Sequence, residues 1–228
     1  MKKHRMIKKI FFGIAVLFCI LILAYKAFFY FDSKSEQREI ALNKNVTRLT
    51  ADEMAQLQEG DIILRRGFGF FSDYISENLN DGGAVDVTHA GIIVRHNGSF
   101  HVIHSLSSDV TKIDGMQIQP LETFLEYSAP GKIIVTRAKN TDAATGIKIA
   151  KLAESYLGRH IPFDHKGHFD DCNELFCTEL VWQILEKDLH CINIPTEPEA
   201  RKSFFYSMVP MYSTEYFDIK INQFRPVK

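Results

Sequence analysis

The polarity pattern of the chain is dominated by one stretch in which it is almost absent. From Ile10 to Tyr25 every position is apolar or small; Lys26 interrupts, and Ala27 to Phe31 resumes. The stretch is about 22 residues long, enough for a helix to cross a hydrocarbon layer ~30 Å thick. Short periodic segments follow. Asp32 to Asn45 is polar and predicts a stalk or an exposed helix. Thr50-Ala51-Asp52-Glu53 has the cap residue and the following acid that open a helix. Gly60-Asp61 leads into Ile62-Ile63-Leu64, a short buried strand. Gly67 to Gly83 is aromatic and punctuated by Gly and Asn, with an amphipathic turn from Phe71 to Leu79. Val87 to His96 and Phe100 to Ser105 read as a hairpin closed at Asn97-Gly98. Val110 to Ile113 and Met116 to Ile118 suggest a further pair around Asp114-Gly115. Leu121 to Tyr127 predicts a short helix, and Lys132 to Arg137 a β-branched strand.

Two helices stand out. Thr141 to Leu157 repeats Ala143, Ile147, Ala150, Ala153 and Leu157 at helical spacing and closes at Gly158. Asn173 to Lys187 carries Leu175, Phe176, Leu180, Val181, Ile184 and Leu185 over a wide face, as a central buried helix does. Phe217-Asp218-Ile219-Lys220-Ile221 alternates as a last strand. The pattern is α+β: a mostly antiparallel sheet packed on a central helix. About 190 residues outside the apolar stretch suffice for one domain. Hydrophobic residues at 46% and charged residues at 24% are those of a globular chain. A net charge of -1 offers no basic excess, so nucleic acid is not an expected partner.

Charge also orients the apolar stretch. Lys2, Lys3, Arg5, Lys8 and Lys9 precede it, whereas Asp32, Lys34, Glu36, Arg38 and Glu39 follow with mixed sign. Positive residues stay on the cytoplasmic side, so the domain is expected across the membrane, in a periplasmic or extracellular space. A cleaved signal peptide is the alternative. Its only candidate end, Ala24-Tyr25-Lys26-Ala27, has a bulky Tyr where a small residue belongs. Phe18 before Cys19 argues against a lipoprotein signal. The expected organisation is a basic cytoplasmic tail over 1–9, a transmembrane helix over 10–31, a stalk over 32–50 and one domain over 51–228.

Of the four cysteines, Cys19, Cys172, Cys177 and Cys191, none forms a C-x-x-C pair. Cys177 lies about one turn into the predicted central helix, where the positive end of the helix dipole favours a thiolate. Such a thiol is a nucleophile if an imidazole is near, and a small core residue if none is. His89 sits in the apolar strand Val87-Thr88-His89-Ala90-Gly91-Ile92-Ile93-Val94, and His104 on the return strand. The tight turn brings 89 and 104 close, and period-two counting puts His101 on the opposite face. One imidazole then serves as base and the second orients it.

Glu59-Gly60-Asp61-Ile62-Ile63-Leu64, Thr88-His89-Ala90-Gly91-Ile92-Ile93, Val102-Ile103-His104-Ser105 and Phe176-Cys177-Thr178-Glu179-Leu180-Val181 follow in that order. Together, over roughly Leu57 to Leu189, they resemble the circularly permuted, NlpC-type papain-like cysteine hydrolases, the YiiX/YebB-like group. The resemblance implies a permuted papain-like domain, with Cys177 as nucleophile, His89 as base and His104 as orienting residue. It implies a thioester intermediate and no cofactor. YiiX-like members often have Glu at the third position. A His there is more like the classical NlpC enzymes and the lecithin:retinol acyltransferase-like proteins, which share the permuted order. The implied substrates are therefore cell-wall peptides, or lipid amides and esters. The expected function is a membrane-anchored peptidase or amidase. The alternatives are a lipid acyltransferase or lipase, and a catalytically silent tethered binding domain.

His160, Asp164, His165, His168, Asp170, Asp171 and Cys172 are dense enough to raise a metal site, but match no standard ligand spacing. A polar active-site rim is the simpler expectation. Cys172 and Cys191 flank the central helix and pair only if the intervening loop folds back. Glu179 falls on another side of the helix from Cys177 and is expected to be a structural hydrogen-bond partner.

Overall fold

The computed structural model describes residues 2–79 and 85–224, with no side-chain description for residues 2–5. The predicted loop residues Asn80 to Gly83, the side chains of Lys2, Lys3 and Arg5, and the domain's last four positions lie outside it.

The first helix, α1 (Lys2–Leu42), does not stop where the apolar stretch ends. At ~1.5 Å per residue it is about 60 Å long, and residues 32–42 are its last turns. It is long and apolar enough to cross a membrane, a test that a signal sequence also passes. The domain opens with α2 (Ala51–Met54), whose Thr50 and Glu53 cap each other reciprocally as their spacing predicts. Then come β1 (Ile62–Arg65), α3 (Phe70–Leu79), β2 (His89–His96), β3 (Ser99–Leu106), β4 (Gly115–Pro120), α4 (Leu121–Glu126), β5 (Ile133–Ala138), α5 (Ala143–Gly158), α6 (Cys177–Trp182), α7 (Pro198–Tyr206) and β6 (Phe217–Asn222).

The six strands form one sheet in the order β4-β3-β2-β1-β5-β6, with every neighbouring pair antiparallel. Alternation divides the apolar side chains between its faces. Leu64, Ala90, Ile92 and Ile103 join Leu180, Val181 and Trp182 in the larger cluster. Ile63, Ile93, Val102 and Val135 meet Leu121 and Phe124 on the other side. The fold is thus α+β, with an antiparallel sheet packed on the Cys-bearing helix and preceded by one long apolar helix.

Three local expectations change. Val110 to Ile113 is turn and bend, not strand: Val110 and Thr111 bond back to the Ser107 carbonyl, and β4 pairs with β3 instead. The central helix begins at Cys177, not Asn173. Tertiary hydrogen bonds hold Leu175 out of the helix, its N–H donating to the Pro162 carbonyl and its own carbonyl accepting from Ser105 Oγ. Beyond Trp182 the helix widens into a π-helical segment, Gln183–Asp188. Finally, α7 was not anticipated, although Glu197 accepting from the Ala200 N–H and Pro198 in the first turn are ordinary start signals.

Candidate active site

The hairpin brings the two histidines together. Asn97 and Gly98 both adopt positive φ (49° and 81°), the conformation of a two-residue turn that follows strand twist. The register Ile92↔Ile103 places His89 and His104 on one face of the sheet. Gly91 makes the approach possible, because a Cβ there would stand 2.3 Å from Val102 Cγ1 and 3.4 Å from His104 Cβ. His89 Nε2 and His104 Nδ1 are 2.8 Å apart, with ring planes at 70°. Both rings lie against Phe124. His104 is fully buried, and its Nε2 has no hydrogen-bond partner among the described residues. Burial, reinforced by Arg65, pushes the His104 imidazole down to about 3. Burial, then His104 and Arg65, hold His89 well below its ordinary value. His101 is on the other face, beside His96.

Cys177 is the first residue of α6 and packs at the edge of the larger cluster. Its turn is held by Glu179, whose carboxylate accepts from the Asp170 N–H (2.9 Å) and the Phe176 N–H (3.5 Å). Glu179 is fully buried and, chiefly through desolvation, pushed up to about 8, which suits the expected structural role. The backbone N–H groups of Ala90, Thr178 and Cys177 itself are near enough to the Cys177 sulfur to favour its thiolate. The thiol thus touches the backbone immediately after His89. Among the described residues, no hydrogen bond joins Cys177 to His89. Burial pushes the thiol above its ordinary value, against the pull of those N–H groups and of Arg65. The depressed thiol value expected from the helix dipole is not what the folded site has.

Arg65 escaped the sequence reading, although a charged residue closing the strand Ile62-Ile63-Leu64 was a visible signal. It pairs with His89 across β1 and β2, donates to the Tyr127 carbonyl and lies 4.7 Å above the Phe124 ring. Burial lowers its guanidinium to about 10, opposed first by Glu36. Arg65 and His89 line a cavity whose apolar wall is Phe29, Phe68, Phe71 and Ile75. Phe29, Asp32, Ser33 and Glu36 of α1 close one side of it. No local sequence signal marked these α1 residues, because their role depends on where the helix docks.

Residues 56–208 match the family described as permuted papain-like amidase enzymes, YaeF/YiiX, C92 family. The chain belongs to the C92 family. As a C92 member it is a cysteine hydrolase of the amidase type, with a permuted papain fold. Among solved structures, the crystal structure of the metalloprotein YiiX from Escherichia coli O157:H7 is similar at 24% identity. That similarity covers 59% of this chain and 68% of that one, with a TM-score of 0.48. Comparison with curated proteins gives no match.

Several of the remaining sequence candidates are engaged elsewhere in this C92 domain. His165 Nε2 meets Asp114 Oδ1 at 2.8 Å, and Asp164 accepts from the Lys166 and Gly167 N–H groups. Asp170 and Glu186 clasp the buried Arg201. Among the described residues, no three His, Cys, Asp or Glu side chains are grouped as a metal would require. Cys172 is exposed, Cys191 is half-buried, and both are free thiols.

Proposed function

We propose that the chain is a membrane-anchored cysteine amidase in which Cys177 attacks the carbonyl, His89 is the base and His104 orients it. The observation that carries this reading is the 2.8 Å His89–His104 contact beside Ala90, whose backbone N–H lies near Cys177. Proton bookkeeping then assigns the tautomers. For His89 Nδ1 to accept the thiol proton, Nε2–H must donate to His104 Nδ1, leaving the His104 proton on Nε2. The same link persists when His89 becomes imidazolium, so the orienting contact survives each step. Attack forms a thioester as the amine leaves with the proton from His89, and water then releases the acid.

α1 is the anchor in this reading, with a cytoplasmic N-terminus and the domain in the periplasm or outside the cell. A C-terminal reporter should be active only outside the cytoplasm, and the protein should stay in the membrane fraction. Release of a soluble mature domain contradicts the anchor. The substrate is an amide of a cell-wall peptide or a lipid; the aromatic wall of the cavity, beside the end of the apolar stretch, favours testing lipid amides and esters alongside muropeptides. Cys177→Ala should abolish turnover while leaving the melting temperature nearly unchanged, since it removes little volume. Retained activity in Cys177→Ala, with loss in Cys172→Ala, reassigns the nucleophile. Wild-type protein that turns over neither class supports the silent binding domain.

A further inference from the structure

The family match begins at residue 56, yet one wall of the cavity beside His89 belongs to α1, upstream of it. The docking is specific. Asp32 is buried and its Oδ1 accepts from the Phe71 N–H at 3.0 Å, while Phe29 stands edge-on to Phe71 at 5.5 Å. Glu36, one turn beyond Asp32, is different. It is half-buried, lines the cavity, and makes no hydrogen bond or ion pair among the described residues. In the same cavity Arg65 is 6% exposed, and its Nε is buried without a partner among the described residues. The two charges attract but form no ion pair: β1 holds Arg65 beside His89, and Glu36 belongs to α1. A partly desolvated carboxylate without a partner is unfavourable, and a ligand cation relieves it.

We propose that the anchor helix is part of the substrate site, and that Glu36 receives a protonated amine carried by the substrate near its scissile carbonyl. The cavity carries both signs of charge: Arg65 beside His89 on the sheet and Glu36 on α1, and the carboxylate takes the ammonium group. The substrate class is an amide bearing a primary or secondary amine. This rests on the proposed function, in which Cys177, outside the cavity's lining, attacks a substrate held there beside His89.

The test uses two methanethiosulfonate reagents of similar size, one ending in ammonium and one in sulfonate. They are applied to the full chain in neutral detergent at pH 8, with modification at each cysteine followed by peptide mass mapping. Glu36→Gln should lower the ammonium-to-sulfonate rate ratio at Cys177 by about tenfold, the effect of one charge at short range. Glu36→Lys should lower it further and Glu36→Asp should keep most of it. The ratio at the exposed Cys172 should not move. A Cys177 ratio unchanged in both Glu36→Gln and Glu36→Lys overturns the proposal while leaving the nucleophile intact. A Cys177 that reacts with neither reagent while Cys172 reacts with both overturns the nucleophile assignment, and this proposal with it.

Discussion

A helix N-terminus contributes ~0.3–1 kcal/mol to an adjacent charge, less than one pKa unit, which is about 1.4 kcal/mol. Desolvation is larger, and it wins at Cys177. It also keeps both imidazoles neutral. In the proposed mechanism the site therefore rests as thiol and imidazole, and the proton moves during attack on the substrate. Two expectations follow. His89→Ala should cut turnover by about 100-fold or more while changing the alkylation-versus-pH curve of Cys177 little. His104→Gln should be milder and His101→Gln silent, all read from steady-state hydrolysis. The second concerns acid stability. An unfolded His takes up a proton near 6.5, whereas His104 resists until about 3 and His89 is also depressed. Stability from these groups is present above 6.5 and is lost as pH falls below it, at about 1.4 kcal/mol per pH unit for each. Thermal unfolding of the full chain should show a lower midpoint at pH 5 than at pH 7, with a smaller drop in His104→Gln.

Between elements, the site depends on two close approaches. The first is β2 against β3 at Gly91. Gly91→Ala forces a methyl into Val102 and should destabilise the fold by about 1–3 kcal/mol, as overpacking does. It should also loosen the His89–His104 contact, so turnover should fall more than the remaining folded fraction accounts for. The second is the start of α6. Glu179 ties Asp170 and Phe176 to the first helical turn, and Glu179→Ala leaves two N–H groups without their acceptor. A loss of about 1–3 kcal/mol in chemical denaturation is expected. Glu179→Gln, which keeps one acceptor oxygen, should lose less.

Across the chain as a whole, α1 is both the membrane candidate and a wall of the site. Phe29 lies within the apolar stretch yet touches Phe71, and Tyr25 bonds to Asp109. With α1 in a bilayer, the cavity beside His89 would sit at the membrane surface and not at the end of a free stalk. Asp32→Ala removes the acceptor of the Phe71 N–H and should undock this part of the helix. Hydrogen exchange should then quicken at Phe71 and along residues 29–36, while β1 and β2 stay protected. Unchanged exchange at Phe71 would mean that the docking does not depend on Asp32.

How much of this was legible follows from the range of each interaction. Helical and two-residue periods, the Thr50–Glu53 cap and the Asn97-Gly98 turn act within a few residues, so α5, β2, β3 and the His89–His104 juxtaposition could be read directly. The long apolar helix and the ordered Cys and His motifs were equally local. The first residue of α6 was not, because Pro162 and Ser105, far along the chain, hold Leu175 out of the helix. Nor were Arg65 and Glu36 as cavity partners, since only the docking of α1 against β1 and α3 brings them to one space. The charge state of the site belongs with these. A dipole can be inferred from a helix start, but the opposing desolvation depends on how completely the folded chain removes water from Cys177, His89 and His104.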